Sequence, residues 1–267
     1  MNSDKLLVKP GQKLNLAHHD PDDTHGLTKD MCDRLLAKHQ AKLDELQELL
    51  YAGKQHALLI VLQALDAGGK DGVIRHVMAG VNPQSCHVTA FKVPTTEELE
   101  HDFLWRVHKA VPAKGTIGIF NRSHYEDVLI ARVHKLVSKS VWSQRYGHIN
   151  DFERLLADNN VKILKFFLHI SKDEQKRRFE QRIADRRKRW KISPADFEER
   201  KLWDNYMAAF EAALSKCNAG WAPWYVIPAN KKWFRNLAIS QIIVEALESL
   251  DMKYPKVEFD PASLVIK

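Results

Sequence analysis

No stretch of the sequence approaches the roughly 20 consecutive apolar residues that a membrane helix needs. The opening residues, MNSDKLLVKPGQKLNL, contain no apolar core of a secretory signal. Cysteine is scarce: Cys32, Cys86 and Cys217 stand far apart, with no pair at zinc-ligand spacing. A disulfide scaffold and a zinc module are thereby excluded, and a reduced, cytoplasmic setting is expected. Internal repeats and low-complexity tracts are also lacking. Negative charge is outnumbered, since 41 Lys and Arg against 34 Asp and Glu leave a net +7. That balance predicts an anionic partner; no membrane partner is expected, since no apolar run is long enough to span one. What the 267 residues do hold is 45% hydrophobic content, enough for one large core and a single domain over 1–267.

Five short apolar runs read as strands: 58–62, 86–91, 116–120, 162–170 and 224–228. Helical patterns separate them, so the expected fold class is α/β, with a parallel five-stranded sheet between two helix layers. Residues 1–28 form a polar surface arm whose His18 and His19 diverge and are read as solvated. Leucines at helical spacing from Lys29 to Ala52 predict a packing helix. Thr95 with Glu98 has capping-box spacing and predicts a helix running to about Lys109. An apolar pattern predicts another over 128–136, and Ser171 with Glu174 a further capping box. Ser193-Pro194 restarts a helix after the densest basic run, Arg186 to Lys191. Residues from about 182 to 200 are expected to form a helical lid, and 251–267 a C-terminal strap.

The stretch Leu58–Leu62 empties into Asp66-Ala67-Gly68-Gly69-Lys70-Asp71-Gly72, and a helix should open there. Strand, glycine loop with lysine, then helix is the layout of a phosphate cradle. The generic P-loop (Walker A) pattern is half met, with Ala64 in place of the first glycine and Asp71 in place of the hydroxyl. An ordinary βα turn is the bland reading. Asp66 argues for chemistry, because a carboxylate within the loop can carry a Mg²⁺ that the loop no longer binds.

Ligands of parallel sheets bind at the carboxyl ends of the strands. This topology brings the 66–72 loop, the 121–127 segment and the 177–191 region to one rim. Asp66 and Asp127 are the expected metal pair, with Lys70 and Arg122 as phosphate clamps. Glu126 faces either the metal or the acceptor; alternatively Glu126 and Asp127 merely complement a helix dipole. The basic run is a solvated face, a nucleic-acid patch using Trp190, or a lid over a polyanion. Its acidic neighbours and its place beside the rim favour the lid.

The segments Asp66 to Gly72, Phe120-Asn121-Arg122-Ser123-His124-Tyr125-Glu126-Asp127 and Arg189-Trp190-Lys191 together resemble the polyphosphate kinase 2 family, in its class III form. The likeness extends through KFFLHISKDEQ and PWYVIPAN. The resemblance implies a P-loop kinase fold and transfer of the terminal phosphate of polyphosphate to AMP or ADP, and the reverse. It implies Mg²⁺, or Mn²⁺ in its place, as cofactor. It also implies adenine or guanine nucleotides as partners, no nucleic acid, and a homo-oligomer of paired dimers. By that likeness Asp66 and Asp127 carry metal, and Lys70 and Arg122 hold phosphate. Ala67, Gly68, Gly69, Asp71, Gly72, Asn121, Glu126, Arg178, Arg182, Arg189 and Lys191 contact substrate. Two rivals remain: an ATP-dependent nucleoside monophosphate kinase, disfavoured by Ala64 and Asp71, and a non-catalytic polyanion-binding protein.

Overall fold

The computed structural model describes residues 1–259, so residues 260–267 of the expected strap lie outside it. Its centre is a five-stranded parallel sheet, ordered β2-β3-β1-β4-β5. The strands are β1 (Ala57–Gln63), β2 (Cys86–Ala90), β3 (Ile117–Asn121), β4 (Val161–His169) and β5 (Trp224–Pro228). Every residue of β1 is buried. Its side chains alternate: Leu58, Ile60 and Leu62 enter one apolar cluster, Leu59 and Val61 the other. A strand buried on both faces shows an unbroken apolar run, which is why this one was legible.

One helix layer comprises α1 (Lys29–Gly53), α2 (Lys70–Val77) and α10 (Lys232–Glu248). The opposite layer is built from α6 (Lys139–Asp158) and α9 (Trp203–Lys216). Between β4 and α9 lie α7 (Lys172–Ala184), a 3-10 stretch Arg186–Lys191, and α8 (Pro194–Lys201). The region expected as a lid, about 182–200, covers the end of α7, the 3-10 stretch and most of α8, which has Pro194 in its first turn and Ser193 in a capping box with Asp196. At 171 only half of the expected box forms. Ser171 caps the Glu174 N–H, but the Glu174 carboxylate goes to Arg177 and Arg178 instead.

Two expected helices are broken. The 95–109 segment yields only α3 (Thr96–Leu99) and α4 (Trp105–His108). The Asp102 side chain accepts from Leu104 N and starts the chain afresh between them. Residues 128–136 yield α5 (Ile130–Val133), preceded by a 3-10 turn at His124–Asp127 and ended by Lys135 at φ +53°. Among the described residues no helix is long and apolar enough to cross a membrane. Residues 6–8 run antiparallel along β5: Val8 N donates to Trp224 O, and Val226 N to Leu6 O, both at 2.9 Å. Leu6, Val8, Leu14 and Leu16 are buried there, so the polar arm contains apolar anchors that its composition hid.

Candidate active site

Strands β3, β1 and β4 are neighbours, so their carboxyl ends bring the glycine loop, the 121–127 segment and the start of α7 side by side. They frame a cleft of about 730 Å³ lined by ten lysine and arginine side chains against three aspartates. The loop is shaped by close approach. Gly69 has φ +109°, and a Cβ there would lie 2.0 Å from Arg235 Nη1. A Cβ on Gly68 would lie 2.4 Å from the Ala64 side chain, so the residue standing where the first P-loop glycine belongs itself requires glycine four positions on. Ala67 is left-handed at φ +61°, a conformation that costs energy outside glycine and persists only where the surroundings impose it.

Lys70 opens α2 and is nearly buried, with Nζ donating to Ala64 O at 2.8 Å. Burial, reinforced by Arg122, lowers its ammonium to about 8, against the pull of Asp66 and Glu126. Arg122 Nη2 donates to Asp66 Oδ1 at 2.8 Å across the β3–β1 gap. Burial alone would lower the Arg122 guanidinium, but Glu126 and Asp66 outweigh it and raise it. Asn121 Nδ2 donates to Asp71 Oδ1 at 2.9 Å, and Lys191 Nζ lies 4.0 Å from Asp71 Oδ2, so the basic run meets the loop there.

The structure does not bring Asp127 to Asp66. Asp127 Oδ1 accepts from Arg145 Nη1 at 3.0 Å, and burial raises its carboxyl against the pull of Arg145 and Arg106. Glu126 takes its place, lining a second cavity of about 210 Å³ together with Asp66 and Arg122. The reason is turn geometry: successive residues of a 3-10 turn point about 120° apart, so only one of the two acids can face Asp66. With the Gln63 amide oriented so that its oxygen accepts from Ser123 Oγ (3.0 Å), its nitrogen donates to Glu126 Oε1 (3.0 Å). Burial raises the Glu126 carboxyl, opposed by Arg122 and Lys70. No group of three potential metal ligands exists among the described residues. Two carboxylates with room for phosphate oxygens nevertheless fit a hard divalent cation such as Mg²⁺, which takes one or two carboxylates and fills the rest with water and substrate.

Two further expectations are corrected. Arg178 is buried and spends all five of its donors on protein: Glu174, the carbonyls of Ala67 and Gly68, and those of Ala229 and Asn230. It braces the loop from behind and has no donor left for a phosphate. Arg189 turns onto Ile183 O (2.8 Å) and lines neither cavity. In a 3-10 stretch residues three apart eclipse, which puts Lys188 and Lys191 on the cleft side and Arg189 off it. Arg182 reaches the cleft as expected while donating to Lys191 O.

Arg235 was missed. It is 2% exposed, its guanidinium donates to Asn236 Oδ1, and it lies under Gly69 and Gly72. Burial, with Arg178 nearby, lowers its guanidinium to about 9, and among the described residues no carboxylate is hydrogen-bonded to it. The signal was the same rim argument applied once more, because Lys232 to Asn236 follow the carboxyl end of β5.

With this geometry in hand, comparison with known proteins is direct. The family model described as Polyphosphate kinase 2 (PPK2) matches residues 26–255. An AMP/ADP-polyphosphate phosphotransferase of Meiothermus ruber is 53% identical over 98% of this chain and 99% of its own. An ADP-polyphosphate phosphotransferase of Rhodopseudomonas palustris is 48% identical over 94% of this chain and 92% of its own. The crystal structure of polyphosphate kinase 2 from Arthrobacter aurescens superposes with a TM-score of 0.94 at 46% identity, over 98% of this chain and 94% of that one. A basic glycine-loop cleft on a parallel sheet, the family match and the near-complete superposition agree: the chain belongs to the polyphosphate kinase 2 family.

Proposed function

We propose that the protein transfers the terminal phosphate of inorganic polyphosphate to AMP or ADP, and the reverse. The observation that carries this reading is Arg235, a buried cation with no carboxylate partner among the described residues, set under the glycine loop in a cleft dominated by positive charge. A desolvated, uncompensated charge is costly, and a phosphate chain along the loop supplies the missing anions. One relative named for AMP/ADP–polyphosphate transfer and another named for ADP–polyphosphate transfer support the same substrates.

The donor lies along the cleft between the loop and Lys188, Lys191 and Lys232. The acceptor nucleotide reaches Asp66 and Arg122 from the smaller cavity, whose walls include Trp203, Tyr206 and Phe210. A terminal phosphate oxygen of the nucleotide attacks the last phosphorus of the chain in line, and the phosphoanhydride bridge breaks. The shortened chain leaves with the bridging oxygen's electron pair. That oxygen nucleophile is already ionised and needs little general-base help. Lys70 and Arg122 stabilise charge on the transferring group, which is the main demand of phosphoryl transfer. Asp66 and Glu126 would hold Mg²⁺, or Mn²⁺, which when bound neutralises charge on the phosphoryl oxygens.

Incubation with ADP, polyphosphate and Mg²⁺, without ATP, is expected to give luciferase light, and AMP in place of ADP is expected to give ADP. Absence of both products would overturn the reading. An ATP-dependent monophosphate kinase can make ATP from two ADP with or without polyphosphate, but it makes no ADP from AMP unless ATP is supplied. A polyanion-binding protein would bind polyphosphate and produce nothing.

A further inference from the structure

Behind the cleft, on the side of the sheet that faces α6, four polar side chains meet in the core. His124, Glu153 and Lys165 are each at most 1% exposed, and Tyr125 is fully buried. Lys165 Nζ donates to Tyr125 Oη (2.9 Å), Glu153 Oε2 (2.5 Å) and Cys217 O (2.7 Å), which uses all three ammonium donors. Tyr125 Oη donates to Glu153 Oε1 at 2.8 Å, and His124 Nε2 lies 3.1 Å from the same oxygen. Trp224 packs edge-on against the Tyr125 ring. None of these side chains lines either cavity.

A buried ion pair is a weak source of stability, since apolar side chains of similar volume usually do as well. What the mutually bonded set Tyr125, Glu153 and Lys165 does supply is a single fixed arrangement, with His124 added through Nε2 alone while its Nδ1 has no partner among the described residues. Its place along the chain matters here. His124 and Tyr125 sit between Arg122 and Glu126, the two residues of that segment that face Asp66. Arg122 is left-handed at φ +62°, so its conformation must be imposed from outside. Its N–H donates to Leu62 O, while Ser123 Oγ accepts from Tyr125 N and fixes the turn.

We propose that Tyr125, Glu153 and Lys165 are positioning residues for phosphoryl transfer: an inner anchor that holds Arg122 and Glu126 against Asp66 without touching substrate. This rests on the phosphoryl-transfer reading above. A lateral slip of about 1 Å at such a site costs on the order of a hundredfold in rate, whereas the cations that hold the donor on the opposite wall stay in place.

The test pairs Tyr125→Phe, which removes one hydroxyl, with Glu153→Leu/Lys165→Met, which replaces the ion pair by apolar groups. For each, thermal melting, kcat, the KM for polyphosphate and amide hydrogen exchange over 121–127 are measured. The expected result is a folded protein with kcat lowered roughly 10–100-fold and donor KM within about threefold. Exchange at 121–127 should quicken while β1 and β4 stay protected. Unchanged kcat together with unchanged exchange in a folded variant would overturn the proposal. So would an activity loss that merely follows the folded fraction. Should the double variant fail to fold, Tyr125→Phe alone decides. If the unmodified protein shows no transfer, the phosphoryl-transfer reading fails, and the exchange measurement still judges the anchor.

Discussion

Lys70 exchanges the solvent shell of an ammonium for one carbonyl and the field of Asp66 and Glu126. Two opposite effects follow from removing it. Lys70→Met is expected to lower kcat roughly 10²–10³-fold, as for loss of one charge-stabilising donor, yet to melt no lower than the parent. With the folded-state value lowered to about 8 and an unfolded value of 10.5, the unfolded chain binds more protons between those limits. The destabilisation from Lys70 is therefore fully present below pH 8 and is relieved as pH rises toward 10.5. Activity runs the other way, with kcat/KM for polyphosphate falling as pH rises through about 8 and the free enzyme's lysine loses its proton. A pH–rate profile and melts at pH 7 and 9.5 check both. The two acids of the 3-10 turn separate in the same manner. Glu126→Gln should abolish most turnover and weaken the dependence on Mg²⁺ concentration. Asp127→Asn, which loosens only the Arg145 contact, should keep most of both. Equal loss in the two variants would restore Asp127 to the metal.

Elements were legible where a period or a cap dominates, as in β1, α1 and the start of α8. They were illegible where a single side chain intervenes. Nothing in the 95–109 pattern announces that Asp102 will cap a new turn, and the adjacency of Glu126 and Asp127 does not say which of the two faces Asp66 once they lie in a 3-10 turn. The rim itself followed from topology alone, which is why Asp66, Lys70 and Arg122 assembled as expected. Arg178 and Arg189 show the limit, since charge at the rim says where a cation sits and not where its donors point. The lid carries its own test. Lys188→Ala and Lys191→Ala, on the cleft side, should each raise the polyphosphate KM several-fold, while Arg189→Ala should leave it within about twofold, as expected of a surface change away from the site. Steady-state kinetics with a fixed polyphosphate length read this out.

At the scale of the molecule the net charge is +7, and lysine and arginine outnumber aspartate in the cleft proposed for the polyphosphate chain. Raising salt from about 0.05 to 0.5 M shortens the screening length from roughly 14 to 4 Å. The KM for polyphosphate should therefore climb much more steeply than the KM for ADP, whose proposed path runs through the smaller, partly aromatic cavity. A parallel rise in both would argue against separate routes.

The family match begins at residue 26, yet residues 6–8 already lie along β5. A little further on, Asp22 accepts from Asn230 Nδ2, and the Asn230 carbonyl accepts in turn from Arg178, the brace of the glycine loop. Anyone trimming the gene to the homology boundary would strip a flank of the sheet bare and cut a tether that ends at the phosphate cradle. Such a truncated protein should self-associate through its raw edge and grip its polymer poorly, although every residue in the cleft remains.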